Sequence, residues 1–537
     1  MGASRSKPAW RIAGQRRGRR AGQPAWMVAV LLAAVSLAAC GGVSSSAGTA
    51  SSALTIGIVP ANVPASLNPA LTTGVATEDA FVLAYSPILR IGKDGSYGPG
   101  LATSWGYVGT GHKEFKFTLR DNAKFSDGTA VDAAAVVGWL RYFTKAGGTF
   151  ATQMGQVESI TPVGRLTVDI KLKAPDSALE WQLAQTNGLG YVASPGAVAN
   201  PGEFTQQTFG AGPYVLDSSQ SVSNSTYTYL PNKYYYDQSG IHFSKVVLKV
   251  IASPSTMLEA LQSGQIDVAT GDYTTASNAE SAGFSVYSGR TSWDGFAYPT
   301  LGAPGNPLNK PEVRQAISYA IDREKITAAL LGKYGEPTSE WVTTDGFDAA
   351  SKDHYAYNPQ EAKTLLASAG YRNGLTLSVL DFPGTLQDGT PSDRMVQAVA
   401  QQLAEVGIKL DITTLPPSQF TALFTGKYQL AASYFGINPT QVYWNIFLSP
   451  AAPLNLRHWA GDAQASSEFA QAAGATDPSQ DLTAMSRRLT SVAYPLPIYS
   501  PLSLVFAKKN IGEISFPVLP NGIANGSFPD PTQFVAK

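Results

Sequence analysis

Residues 113–129 read Lys113-Glu114-Phe115-Lys116-Phe117-Thr118-Leu119-Arg120-Asp121-Asn122-Ala123-Lys124-Phe125-Ser126-Asp127-Gly128-Thr129. The first eight alternate strictly, which puts Phe115, Phe117 and Leu119 on one face of a strand and the charges on the other. Asp121-Asn122 turns the chain, and Phe125 to Thr129 turns it again. Val131 to Leu140 then starts a helix, with Asp132 placed as its N-cap. Upstream, Gly100-Leu101-Ala102-Thr103-Ser104-Trp105 leads into the strand. Asp127-Gly128-Thr129 is read as a type I or type II turn and not as a catalytic loop.

Towards the N-terminus the chain changes character. Arg5, Lys7, Arg11, Arg16, Arg17, Arg19 and Arg20 precede an apolar run from Pro24 to Ser36, with no acidic residue before Cys40. A basic segment, a short apolar segment and small residues at a cleavage point describe an export signal. The apolar run is shorter than the roughly 20 residues that span a bilayer. Leu37-Ala38-Ala39-Cys40-Gly41 resembles the lipobox of bacterial lipoproteins, which implies that Cys40 is acylated and becomes the mature N-terminus. Residues 41–52 are almost all glycine, serine, alanine and threonine, a flexible linker.

Cys40 is the single cysteine among 537 residues, so the body has neither disulfides nor cysteine chemistry. The formal charge of zero hides an asymmetry: without residues 1–39 the chain carries 32 basic against 39 acidic residues, a net of −7. That balance argues against a nucleic-acid partner, whose footprint is a clustered basic surface. Its apolar content of 44% is ample for a packed core, and the 498 residues from Cys40 onwards imply two or three domains.

Downstream, helix and strand patterns alternate, which predicts α/β lobes. Leu54 to Val59 is a short strand stopped by Pro60. Lys245 to Ile251 is another strand, followed by a helix over Ser255–Ser263. Arg314 to Ile321 has helical spacing of apolar residues. Asn358-Pro359 caps a helix that ends at Gly370 and precedes the strand Leu375–Leu380. The helix Asp393–Val406 ends at Gly407 and leads into the strand Ile408–Ile412. Gln429–Ser433 is a further strand. His112, His242, His354 and His458 are far apart and stand in no paired-ligand spacing, so neither a metal nor a cofactor is predicted. No Gly-x-Ser-x-Gly elbow or phosphate-binding Gly-Lys-Ser/Thr loop occurs.

Several of these blocks fall in a family order. Leu101 to Trp105, Phe117 to Asp121, Lys124 to Thr129, Gly210-Ala211-Gly212-Pro213-Tyr214, Tyr229 to Tyr235, Pro311 to Arg323, Tyr357 to Leu366 and Val399 to Leu410 resemble blocks of the extracellular solute-binding proteins of family 5. These are the dipeptide, oligopeptide and nickel receptors of ABC transporters. The resemblance covers nearly all of the chain after Leu54. It implies a two-lobed α/β fold of the type II periplasmic-binding-protein kind, with an extra domain inserted in the N-terminal lobe. The expected division is a signal peptide over 1–39 and a linker over 40–52. Lobe I then comprises 53–88, 195–288 and 490–537, with an inserted subdomain over 89–194, and lobe II covers 289–489. The chain should cross between lobes near Gly289 and again near Tyr494.

The same resemblance implies capture of a solute in the cleft and delivery to permease and ATPase subunits. The protein would act at the extracytoplasmic face of the cell membrane, held there by the lipid on Cys40. It is expected to be a receptor and not an enzyme. Two aromatic stretches supply the ligand-site candidates: Trp293, Asp294, Phe296 and Tyr298 after the first crossing, and Tyr434, Phe435, Asn438 and Trp444 after the strand Gln429–Ser433. Tyr499, near the return crossing, is a third. As a set they favour a solute with apolar or flat faces. Peptide-binding relatives commonly carry an aspartate in the second stretch for the ligand's α-ammonium, whereas Ser433 to Pro439 has no acid; Asp294 or Asp381 is the available substitute. An oligopeptide or dipeptide is therefore the first ligand expectation. A non-peptide solute (an oligosaccharide, a metal chelate or a lipid-like compound) stays open. A cell-surface hydrolase is the alternative from another class.

Overall fold

In the computed structural model the alternating stretch forms the strand Glu114–Leu119, with Phe115, Phe117 and Leu119 buried. The structure describes residues 53–537 except 65, 73–77, 149, 155–156, 187, 384–391, 453 and 525–528. The signal peptide, Cys40 and the whole linker therefore lie outside the described residues. Glu114–Leu119 sits inside a four-stranded antiparallel sheet with Ala102–Tyr107, Thr167–Leu172 and Val157–Val163. The helix Ala133–Phe143 accompanies this sheet, and the Asp132 carboxylate caps it by accepting from the Ala135 N–H at 2.8 Å. Asp127 closes the preceding turn, accepting from the Thr129 N–H at 2.9 Å, while Gly128 takes a φ of 89°.

This small sheet is not an independent body. Phe115, Phe117 and Val168 share one hydrophobic core with Leu54, Val246 and Tyr214 of the first large sheet. In that sheet Leu54–Ile58 lies parallel to both Val246–Val250 and Val268–Gly271, and Thr226–Pro231 and Tyr214–Leu216 extend it antiparallel. The second large sheet runs Ile408–Thr414, Leu375–Asp381, Leu430–Gly436 and Ser292–Ala297. Helices Pro311–Tyr319, Pro359–Ser368 and Ser392–Glu405 close over it around Leu377, Val379 and Met395. Asn358 caps its helix as its sequence predicts, accepting from the Glu361 N–H at 3.0 Å.

Two strand segments join the lobes. Ser285–Arg290 belongs to the first lobe and, after Thr291, Ser292–Ala297 belongs to the second. The return is one strand, Leu496–Ala507, twelve residues long. Leu496 to Tyr499 pair with Ser292–Ala297, and Leu502 to Ala507 pair with Ser285–Arg290. The return crossing therefore falls at Ser500–Leu502 and not near Tyr494, and Leu496 and Ile498 pack in the core of lobe II. The strand stays extended through Ser500-Pro501 and so serves two sheets without a break. The strand expected over Gln429–Ser433 also runs further, to Gly436, because its pairing with Ser292–Ala297 continues through Ser292 opposite Gly436. Among the described residues, no helix is long and apolar enough to cross a membrane.

Candidate functional site

Ser292–Ala297 is the central strand of the site, flanked by Leu430–Gly436 on one side and Leu496–Ala507 on the other. Its register puts Trp293 directly opposite Phe435, and the two rings stack 4.0 Å apart at 10°. Trp341 lies 6.0 Å from Trp293, meets Tyr443 edge-on at 4.6 Å and runs nearly parallel to Tyr494 at 6.3 Å. Phe447 adds a further ring, 5.7 Å from Phe435. Offset and edge-on contacts of this kind fix ring positions beyond what area burial alone provides.

The loop that delivers Trp341 is held by polar contacts. The Trp341 N–H donates to Thr490 Oγ1 at 3.2 Å, and its carbonyl accepts from Ser486 Oγ at 2.9 Å, both on the helix Ser479–Ser491. Asp345 ties the same loop to the helix Thr440–Tyr443 by accepting from the Thr440 N–H at 2.8 Å and from its hydroxyl at 2.6 Å. Burial raises the Asp345 carboxyl above its ordinary range. At the crossing, Arg290 is 7% exposed, stands 3.6 Å from Glu336 and lies over the Phe347 ring. Glu340, with no exposed surface, has its carboxyl pushed up to about 8 by burial.

Beside this aromatic wall is a cavity of about 410 Å³. Ala297 to Pro299 line it at the end of the central strand, Ser433 to Phe435 from the neighbouring strand, and Tyr494-Pro495 from the segment before the return. Trp341, Phe382, Phe424 and Phe447 complete its aromatic surface, with Leu423, Leu454 and Leu456 between them. None of its described lining residues is Asp, Glu, Lys, Arg or His. Such a surface can hold apolar and aromatic groups.

Of the residues singled out in the sequence, Tyr298, Tyr434 and Phe435 come together on this cavity. Trp293 stands behind Phe435. Phe296 and Tyr499 are fully buried in the core of lobe II and do not line it, because their positions face the helices. Trp444 stacks on Phe469 at 4.1 Å instead, and the Asn438 side chain donates to the Gly436 carbonyl at 3.0 Å, shaping the loop. Asp294 is buried between Tyr434 and Tyr499 in register, and Asp381 is buried while accepting from Ser392 Oγ at 2.7 Å. Neither acid reaches the lining.

Sequence reasoning missed Trp341, Phe382, Phe424, Phe447 and Tyr494. Only Phe447 carried a local signal: it lies four residues after Tyr443, and their rings are 5.8 Å apart. A second contact closes the neighbourhood from the other lobe. Ala178 and Trp181 of the inserted subdomain pack against Val442, with Tyr97 and Ile446 beside them.

A family model described as bacterial extracellular solute-binding proteins, family 5 middle, matches residues 96–452. The chain belongs to this family. It is 28% identical over 320 residues to the glutathione-binding protein GsiB of Escherichia coli K12, which is 58% of this chain and 60% of that protein. The chain thus spans about 60% of the length of the curated relatives it matches. Among solved structures, AgaA from A. tumefaciens R10, in complex with agropinic acid, superposes with a TM-score of 0.74 at 21% identity, over 90% of this chain and 99% of that one. The Escherichia coli murein tripeptide binding protein MppA gives 0.71 at 21%, over 90% and 98%. NikA from Brucella suis, in complex with Fe(III)-EDTA, gives 0.74 at 22%, over 90% and 100%. These likenesses establish the two-lobed α/β fold of periplasmic binding proteins.

Proposed function

We propose that this chain is the solute-capturing receptor of an ABC importer. A solute enters between the lobes, seats against the aromatic wall of lobe II, and the lobes close over it. Closure couples occupancy to a shape that permease subunits can read. The observation that carries the reading is the cavity of about 410 Å³ beside the aromatic wall of lobe II, within the range of small-molecule sites. The receptor releases its solute unchanged, and Cys40 tethers it by lipid to the outer face of the cell membrane. Replacing Cys40 by alanine should free the protein from the membrane without changing solute affinity.

Peptide capture is supported by the likeness to a glutathione-binding protein and a murein tripeptide binding protein. A non-peptide solute is supported by the uncharged lining, which has no carboxylate for a peptide's α-ammonium. Native mass spectrometry of residues 53–537 decides between them by the mass of a co-purified solute. Recovery of a chemically altered product after incubation with that solute would refute the receptor reading.

A further inference from the structure

The lining of the cavity carries a stronger restriction on the solute than its size does. We infer that the cavity selects the uncharged, aromatic or branched apolar part of its solute and rejects ionised and heavily hydroxylated groups. This rests on the receptor reading above and names what the receptor takes.

No acid, lysine, arginine or histidine lines the cavity among the described residues. Asp294 and Asp381, the nearest candidates in the sequence, are buried beneath the lining. Arg457, which follows Leu456 of the lining, is exposed and donates to the Gly426 carbonyl at 3.2 Å. The hydroxyls of Tyr298 and Tyr494 remain neutral, since burial raises the first and pushes the second up to about 12. Tyr298 Oη already donates to the Ala493 carbonyl at 3.2 Å. An ion seated against these rings under closed lobes would lose hydration and find no counter-charge among the described lining residues, which is costly.

Two rival occupants follow from the same surface. Aromatic rings can hold a quaternary ammonium by cation–π attraction, but a tight aromatic cage is needed. Here Leu423, Leu454, Ala432 and Pro299 interrupt the rings, and about 410 Å³ exceeds a trimethylammonium head. Rings also stack on sugars, yet a sugar's hydroxyls need partners, and beyond the tyrosines the lining offers the single side-chain hydroxyl of Ser433.

The test uses one aromatic scaffold with and without a charge. N-phenyl-1-naphthylamine is neutral, and 1-anilinonaphthalene-8-sulfonate adds one sulfonate to it. Fluorescence titration of the full chain should show the neutral probe bound one to one and at least tenfold more tightly than the sulfonate. N-acetyl-phenylalanyl-leucinamide should displace it at lower concentration than zwitterionic phenylalanyl-leucine, benzyltrimethylammonium or cellobiose. Ser433→Asp places a carboxylate in the wall and should weaken the neutral probe at least tenfold. Phe424→Lys places an ammonium at a residue that is 44% exposed, where folding is not at stake, and should likewise weaken the neutral probe. Equal or tighter binding of the sulfonate, the cation or the sugar overturns the inference and leaves the receptor reading intact. Absence of binding by every probe also overturns it. Chemical turnover of a bound probe refutes the receptor reading and leaves the charge preference standing.

Discussion

Glu340 has no exposed surface, and burial pushes its carboxyl from 4.5 up to about 8. Its Oε1 accepts from the Asp348 N–H; Arg290 and Arg487 pull the value down while the Asp348 carboxylate raises it. Between those two pH values the unfolded chain has released this proton and the folded chain has kept it. The unfolded state then binds fewer protons, so stability falls as pH rises from about 4.5 to about 8 and levels off above. Glu340→Gln keeps the neutral shape and should flatten that slope. Urea midpoints at pH 5 and pH 8 measure it: the wild type should lose more between them than the variant does. An unchanged difference would show that Glu340 ionises freely. The residue also shows where sequence reading stops. Nothing around Ser339-Glu340-Trp341 marks an acid for burial, because Arg290 and Arg487, which face it with nearby Asp348, come from far along the chain.

At the scale of elements, glycine shows how one residue type serves opposite ends. Gly210-Ala211-Gly212-Pro213-Tyr214 was legible as a family block, and the structure supplies its physical reason. A Cβ on Gly212 would lie 2.5 Å from the backbone carbon of Ala84, at the end of the helix Glu78–Ala84. Backbone meets backbone there, so nothing can rotate away. Gly212→Ala should cost about 1–3 kcal/mol. Gly138 stands mid-helix in Ala133–Phe143, and a Cβ added there meets nothing within 4 Å. Gly138→Ala should instead stabilise by about 0.5–1 kcal/mol. Chemical denaturation of the two variants should move in opposite directions from the wild type. Caps and alternation, such as Asp132, Asn358 and Phe115 to Leu119, were readable because their partners lie within a few residues. The strand end at Gly436 was not, because its last pairs are made with Ser292, more than a hundred residues away.

For the whole molecule, Trp181 and Ala178 against Val442 form the apolar contact between the inserted subdomain and lobe II. Trp181 is 4% exposed with that contact made. Trp181→Ala, or Val442→Ala from the opposite side, should shift the lobes towards the open state. Solute affinity should fall about 3–10-fold, and the radius of gyration from small-angle scattering should rise, since a smaller population is competent to bind. Unchanged scattering in both variants would show that closure does not depend on this contact. The sequence by itself determined the α/β class and the order of many strands and helices. Those follow from local periodicity, caps and turn residues, whose physics acts within a few positions. The tertiary structure alone decided which aromatics line the cavity, that the return crossing lies at Ser500–Leu502, and that Asp294 and Asp381 stay beneath the wall. Sheet register and the packing of distant loops set those outcomes. Phe296 packs in the core of lobe II while Phe435 reaches the cavity, although both belong to neighbouring strands of one sheet.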